Sequence, residues 1–155
     1  MEISKVACIG AGLIGHSWAT LFATKGYRVV LQDLNEETLE HALSQIAQNL
    51  DFLAQNGLLK SESCQRCIAR IEATTNLDEA VCDADYVQES VYESYKVKKE
   101  VFKSMDAAAR PAAILASSSS TLKMSVMQKA TERPGRCIVA HPWNPPHLMP
   151  LVELI

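Results

Sequence analysis

Ile3-Ser4-Lys5-Val6-Ala7-Cys8-Ile9 runs directly into Gly10-Ala11-Gly12-Leu13-Ile14-Gly15. The first seven residues carry Ile, Val and Ala without a clean polar alternation, which predicts a strand buried on both faces. The glycines break that strand. From Leu13 the pattern turns helical, with Leu13, Ile14, Trp18, Leu21 and Phe22 on one side and Gly26 as the stop. G-x-G-x-x-G has physical meaning in this context, after a strand and at the opening of a helix. Gly10 allows the tight turn, Gly12 lets backbone approach a pyrophosphate, and Gly15 lets helix and strand pack closely. The free amides of the helix start then face the anion, with the helix dipole behind them. Gly10, Gly12, Leu13, Ile14 and Gly15 are therefore candidate cofactor-binding residues.

Outward from this turn, Tyr27–Leu31 predicts a second strand that ends in Gln32-Asp33. Asp33 stands 23 residues after Gly10. An acid at that place can accept hydrogen bonds from both adenosine ribose hydroxyls and repels a 2′-phosphate, so NAD is expected rather than NADP. No arginine follows Asp33 closely. The glycines alone do not separate NAD from FAD.

Beyond Asp33 the elements continue to alternate. Asn35 is a candidate N-cap for a long amphipathic helix carrying Leu39, Leu43, Ile46, Leu50 and Leu53 and closing near Gly57. A second helical stretch is expected over Glu62–Ile71, then a short element over Leu77–Cys82 and a strand over Tyr86–Val91. Lys96–Ala109 reads as a helix. Ala112–Ala116 reads as a strand that enters Ser117-Ser118-Ser119-Ser120. Lys123–Thr131 is expected to be helical, Cys137–Ala140 a strand ending at His141, and Leu151–Ile155 a last strand after a proline-rich turn. The fold class is thus α/β, a Rossmann-type, doubly wound, mainly parallel sheet with helices on both faces. Residues 1–155 read as one domain. A strand-like run at the final residue suggests a piece of something longer.

Composition sets further bounds. The chain has 155 residues, 48% hydrophobic and 21% charged, the balance of a soluble globular domain. Its net charge of −3 argues against general nucleic-acid binding. No apolar run approaches the ~20 residues that span a bilayer, so no membrane role is expected. Met1–Lys5 lacks the layout of a signal or transit peptide. Five scattered cysteines do not form a disulfide framework, and a reducing cytoplasm is the expected compartment.

Three residues near the end carry candidate chemistry. Ser120 follows one strand, His141 ends the next, and Glu153 lies on the last. The carboxyl ends of the strands line the ligand crevice in a doubly wound sheet. A neutral imidazole there can take a hydroxyl proton while hydride leaves the same carbon, and a carboxylate on the far ring nitrogen fixes the tautomer. A structural turn histidine and a solvated Glu153 would be equally compatible with the spacing.

His141-Pro142-Trp143-Asn144-Pro145-Pro146, with Pro150-Leu151-Val152-Glu153-Leu154, resembles the signature of the L-3-hydroxyacyl-CoA dehydrogenase family. Glu89-Ser90-Val91-Tyr92-Glu93, Lys96-Val97-Lys98 and Ala116–Ser120 extend the resemblance over essentially the whole chain. The resemblance implies NAD-dependent, reversible oxidation of an L-3-hydroxyacyl substrate to its 3-keto product. His141 would be base and acid, Glu153 its orienting partner, and Ser120 the hydrogen-bond donor to the substrate oxygen. Glu93 and Lys98 match positions near the nicotinamide ribose, Asn144 an asparagine beside the cofactor, and Asp33 the adenosine-ribose acid. Acyl-CoA members usually have an aromatic residue after the histidine and one proline after the asparagine. Pro142 and Pro145-Pro146 depart from that, as does the serine run from the usual Ser-Asn-Thr-Ser. The His141-Pro142 and Pro150-Leu151-Val152-Glu153-Leu154 pattern looks closer to the gulonate dehydrogenase (lambda-crystallin) and carnitine dehydrogenase branches, which oxidise small 3-hydroxy acids without CoA. The family's C-terminal helical domain, which closes the site and forms the homodimer, is not in this chain. An NAD-binding module silent by itself, or a crystallin-like structural role, is the reading of another class.

Tyr92-Glu93-Ser94-Tyr95-Lys96 fits Y-x-x-x-K, but outside the setting that gives this motif meaning in short-chain dehydrogenases. Cys64 and Cys67 form an isolated C-x-x-C, read as a chance pair on a helix. His16, placed after the glycine turn where it could approach the cofactor phosphates, is read rather as a surface residue, His41 as lying on the polar face of the long helix, His147 as a loop residue, and Trp18 and Phe22 as core. Trp143 is placed between substrate wall and plain packing.

Overall fold

The computed structural model describes residues 2–59 and 63–155. β1 (Lys5–Ile9), α1 (Leu13–Thr24), β2 (Arg28–Gln32) and α2 (Glu36–Gln55) form the first half. α3 (Cys64–Ile68), β3 (Ile71–Thr74), α4 (Leu77–Val81), β4 (Tyr86–Glu89) and α5 (Tyr95–Ala108) follow. β5 (Ile114–Ser117), α6 (Met124–Met127), β6 (Cys137–Pro142) and β7 (Val152–Leu154) complete it.

The strands form one sheet in the order β3-β2-β1-β4-β5-β6-β7. Every pairing is parallel except β6 with β7, which is antiparallel. This is the doubly wound arrangement with an antiparallel edge strand added. The direction of winding reverses between β1 and β4, and ligands bind outside the carboxyl ends of the strands at such a switch point.

The unalternating run of β1 is explained by its two covered faces. Val6 and Cys8 pack with Trp18, Leu39, Ile46 and Leu50 on the side of α1 and α2. Ala7 and Ile9 pack with Val87, Phe102, Met105 and Leu115 on the side of α4 and α5. Burying one such aliphatic or aromatic side chain fully contributes about 1.5–3 kcal/mol. α2 begins where the Asn35 side chain accepts from the amides of Glu37 (2.8 Å) and Thr38 (3.4 Å). Glu36 and Glu37 in its first turn complement the helix dipole.

Four local expectations are corrected. Glu62, the expected start of a helix to Ile71, lies outside the described residues. Over the described part the helix is only Cys64–Ile68, and Ile71–Thr74 is instead the edge strand β3. Leu13 is 60% exposed, because it sits at the mouth of the turn rather than over the core. The Lys123–Thr131 helix is a short α6 followed by a 3-10 turn at Gln128–Ala130. His16 is buried at 7% exposure, not a surface residue, because it faces back under the glycine turn. Burial lowers its pKa, with the nearby His41 adding to the effect, and burial also lowers that of His147, where His16 adds to it.

Candidate dinucleotide and catalytic site

Gly10, Ser90, Ser118 and His141 all stand at carboxyl ends of neighbouring strands. The Gly10 amide donates to the Gln32 carbonyl (2.8 Å), the Ser90 amide to the Ile9 carbonyl (2.7 Å), and the Ser118 amide to the Glu89 carbonyl (2.8 Å). These bonds carry the ladders one step past the strands and hold the crevice edge.

Gly10 has φ +94°, and a Cβ there would lie 2.8 Å from the Ser90 carbonyl oxygen. A Cβ on Gly15 would lie 1.7 Å from the Gly10 carbonyl oxygen. Both must therefore be glycine for the turn to close against β4. Gly12 differs: nothing lies within 4 Å of a Cβ built on it. Open space thus stands in front of the helix start, where no side chain caps the α1 amides and no acid occupies the first turn. An anion fits there, and a diphosphate matches the orphan donors.

Asp33 lines the adjoining cavity of about 430 Å³ together with Gly10, Gly12, Leu34, Thr38 and Tyr92. Its Oδ2 accepts from the Ala11 amide (2.8 Å) and its Oδ1 from the Leu34 amide (2.8 Å). The carboxylate is thereby held at the crevice with lone pairs left for hydroxyl donors.

A second cavity, about 320 Å³, is lined by Ile14, Ser120, His141, Pro142, Asn144 and Glu93, among others. His141 and Glu153 face each other across the β6–β7 pair. Directly opposed residues of an antiparallel pair have their Cβ atoms about 5 Å apart on one face. Nδ1 of His141 meets Oε2 of Glu153 at 2.8 Å. A carboxylate accepts only, so Nδ1 carries a proton and Nε2 keeps its lone pair in the neutral ring. Ser120 lies on the same cavity wall. Asn144 is at its rim, in the turn that also carries the half-exposed Trp143.

Glu93 and Lys98 are brought together, but not symmetrically. Lys98 is 1% exposed, and its Nζ is engaged by Glu89 (2.6 Å), the Val91 carbonyl (3.2 Å) and Glu93 (3.3 Å). Its three donors are thus used within the protein. Glu93 also accepts from the Ser119 and Thr121 hydroxyls. Burial acts to raise the Glu93 carboxyl, but the Ser119 hydrogen bond and the Lys98 charge outweigh it and hold its pKa below the usual carboxylate range.

Sequence reasoning missed Glu89 and Ser117 as parts of this site. Glu89 is fully buried at the end of β4, accepting from Lys98, the Val91 amide (2.7 Å) and the Ser117 hydroxyl (2.6 Å). Burial pushes its carboxyl up, and Lys98 and these hydrogen bonds oppose that. A charged residue closing an otherwise buried strand, with Lys98 a little further on, was the available signal.

The switch-point crevice, open glycine turn and ribose-side acid define a Rossmann domain that holds a dinucleotide. The chain belongs to the 3-hydroxyacyl-CoA dehydrogenase NAD-binding domain family, whose model matches residues 5–155, and NAD is its cofactor. It is 42% identical over 151 residues to a lambda-crystallin homolog of Mus musculus, covering 97% of this chain and 47% of that protein. It is 38% identical over 154 residues to an L-carnitine dehydrogenase of Streptomyces griseus, covering 99% and 45%. The chain therefore spans about half the length of these curated relatives. Among solved structures, 3-hydroxybutyryl-CoA dehydrogenase from Escherichia coli superposes with a TM-score of 0.93 at 29% identity, covering 99% of this chain and 32% of that one. The (S)-3-hydroxybutyryl-CoA dehydrogenase PaaH1 from Ralstonia eutropha gives 0.92 at 30% identity, covering 99% and 54%. Among the described residues no helix is long and apolar enough to cross a membrane.

Proposed function

We propose that this chain is the cofactor-binding half of an enzyme that reversibly oxidises an L-3-hydroxyacyl substrate to the 3-keto product. The observation that carries this reading is the His141–Glu153 pair, 2.8 Å apart, on a cavity shared with Ser120. NAD supplies the hydride acceptor for oxidation. His141 Nε2 takes the hydroxyl proton, and Glu153 stabilises the imidazolium through Nδ1–H. Ser120 Oγ–H donates to the substrate oxygen, and holds it over His141 as it becomes a carbonyl. Asn144 would hold the nicotinamide end, and Glu93, oriented by Ser119 and Lys98, would hold the nicotinamide ribose. Lys98 acts through Glu93 and Glu89 rather than by a free proton of its own. The setting is a reducing cytoplasm, which suits five scattered cysteines. A helical partner domain and a homodimer complete the proposal.

A small CoA-free hydroxy acid, of the L-gulonate or carnitine type, is the second reading. Sequence identity of 38–42% to the lambda-crystallin and carnitine dehydrogenase relatives favours it, against 29–30% for the two hydroxybutyryl-CoA enzymes above. Pro142, buried on the cavity wall next to His141, agrees with that preference.

The test is turnover of L-3-hydroxybutyryl-CoA, L-gulonate and L-carnitine with NAD, comparing wild type with His141→Ala. Oxidation of one of them that His141→Ala abolishes, with NADH binding intact, supports the reading. An unchanged rate in His141→Ala overturns the mechanism. NADH binding without turnover of any hydroxy acid points instead to a binding module or a crystallin-like protein.

A further inference from the structure

The two cavities share Ser90, whose neighbours fix where its proton points. Gln88 Nε2 lies 3.2 Å from the Ala140 carbonyl, which can only accept, so that end of the amide is the donor. Gln88 Oε1 then accepts from the Tyr86 hydroxyl (2.6 Å). The same Nε2 donates to Ser118 Oγ (2.7 Å), and so does the indole Nε1–H of Trp18 (3.1 Å). A hydroxyl oxygen has two acceptor sites and one proton. Both acceptor sites of Ser118 are filled by groups that only donate. Its proton must therefore go outward, and Ser90 Oγ stands 2.8 Å away to receive it. Ser90 cannot return a proton to Ser118. Its own O–H is left facing the place where the two cavities meet.

We propose that Ser90 Oγ–H is a directed donor to an oxygen of the bound dinucleotide beyond its AMP half, at the joint between the cavities. The inference rests on the reading of the crevice as an NAD site. It makes Ser90 a cofactor-positioning residue, and Tyr86, Gln88, Trp18 and Ser118 the relay that sets its direction. The relay lies in β4, just past β5 and in α1, so the donor is oriented before the ligand arrives. That saves the ordering cost a freely rotating hydroxyl would carry.

The test is calorimetric titration of the chain with NADH and with AMP, in wild type and Ser90→Ala. The expected result is about a tenfold loss of NADH affinity with AMP affinity within twofold of wild type, the size of one lost hydrogen bond to a charged or polar acceptor. Ser90→Cys, which keeps the shape and weakens the donor, gives the same split should Ser90→Ala fail to fold. NADH affinity unchanged in the variants overturns the inference and leaves the dinucleotide reading standing. Equal losses for NADH and AMP also overturn it, because they mark a general disturbance of the crevice. No binding of NADH by wild type would instead overturn the dinucleotide reading itself.

Discussion

The carboxylate of Asp33 accepts the backbone amide of Ala11, 22 positions earlier, at 2.8 Å. The residue expected to bind the adenosine ribose therefore also pins the glycine turn that would hold the diphosphate. The two halves of the cofactor site are one hydrogen-bonded unit.

Replacing Asp33 with Ala should accordingly do two things. NADH affinity should fall by about 10- to 100-fold, the scale of hydrogen bonds to a charged group. The preference for NADH over NADPH should shrink, since the charge that repels a 2′-phosphate is gone. Parallel NADH and NADPH titrations check both, and an unaltered preference would remove Asp33 from the ribose site.

Gly15→Ala should be the harshest of the small changes. Its Cβ would stand 1.7 Å from the Gly10 carbonyl oxygen, which is backbone and cannot step aside. Overpacking costs 1–3 kcal/mol, occasionally more, so a loss of about 3 kcal/mol or more is expected in a denaturation experiment. Gly12→Ala, with open space around its Cβ, should keep stability near wild type while weakening NADH binding.

Glu153→Gln should slow oxidation of the hydroxy substrate by about 100-fold or more and leave the NADH dissociation constant within twofold. The amide can still touch Nδ1, but it no longer stabilises a charged ring. Equal damage to rate and cofactor affinity would argue against an orienting role.

Lys98→Met should destabilise the fold by about 3–5 kcal/mol, because it leaves Glu89 buried without its partner. Lys98→Met with Glu89→Gln should recover much of that loss. Thermal melts of the single and double variants measure the difference.

Asp85 sets the acid limit. Its carboxylate accepts from the amides of Lys5 (3.0 Å) and Ser4 (2.9 Å) and the Ser4 hydroxyl (3.1 Å), with Arg110 beside it. These hydrogen bonds, the backbone ones foremost, lower its pKa to about 2. A depressed folded-state pKa gives stability that is present above the ordinary carboxylate value and lost as pH falls toward 2. Asp85→Asn should therefore lower stability near neutrality and flatten its dependence over that acidic window, as followed by denaturation at stepped pH.

The strand–glycine–helix unit and the Asn35 cap were legible because each rests on local chemistry. His141 and Glu153 were legible as residue types, but the 2.8 Å contact needs the β6–β7 register, which no local pattern carries. β3 was missed because an edge strand with one neighbour needs little apolar surface; Ile71-Glu72-Ala73-Thr74 has only partial burial at its ends and two exposed residues between. His16 was misplaced because a polar residue beside glycines looks solvated, whereas here it turns back under the glycine turn and is buried. The Tyr86–Gln88–Ser118–Ser90 relay joins residues in β4 and just past the ends of β4 and β5 that only the sheet brings side by side.

The antiparallel seam between β6 and β7 makes the proposed proton-transfer pair an all-or-none device. Side chains alternate faces along a strand, so a slip of one residue would turn Glu153 away from His141 entirely. Two further bonds between the Val139 and Ile155 backbones, at 2.8 and 3.0 Å, clamp the alignment beyond the pair. Loosening that clamp would not make a weaker base by degrees. It would split the population into molecules with an oriented imidazole and molecules without one, and the fraction aligned would read out directly as the fraction active.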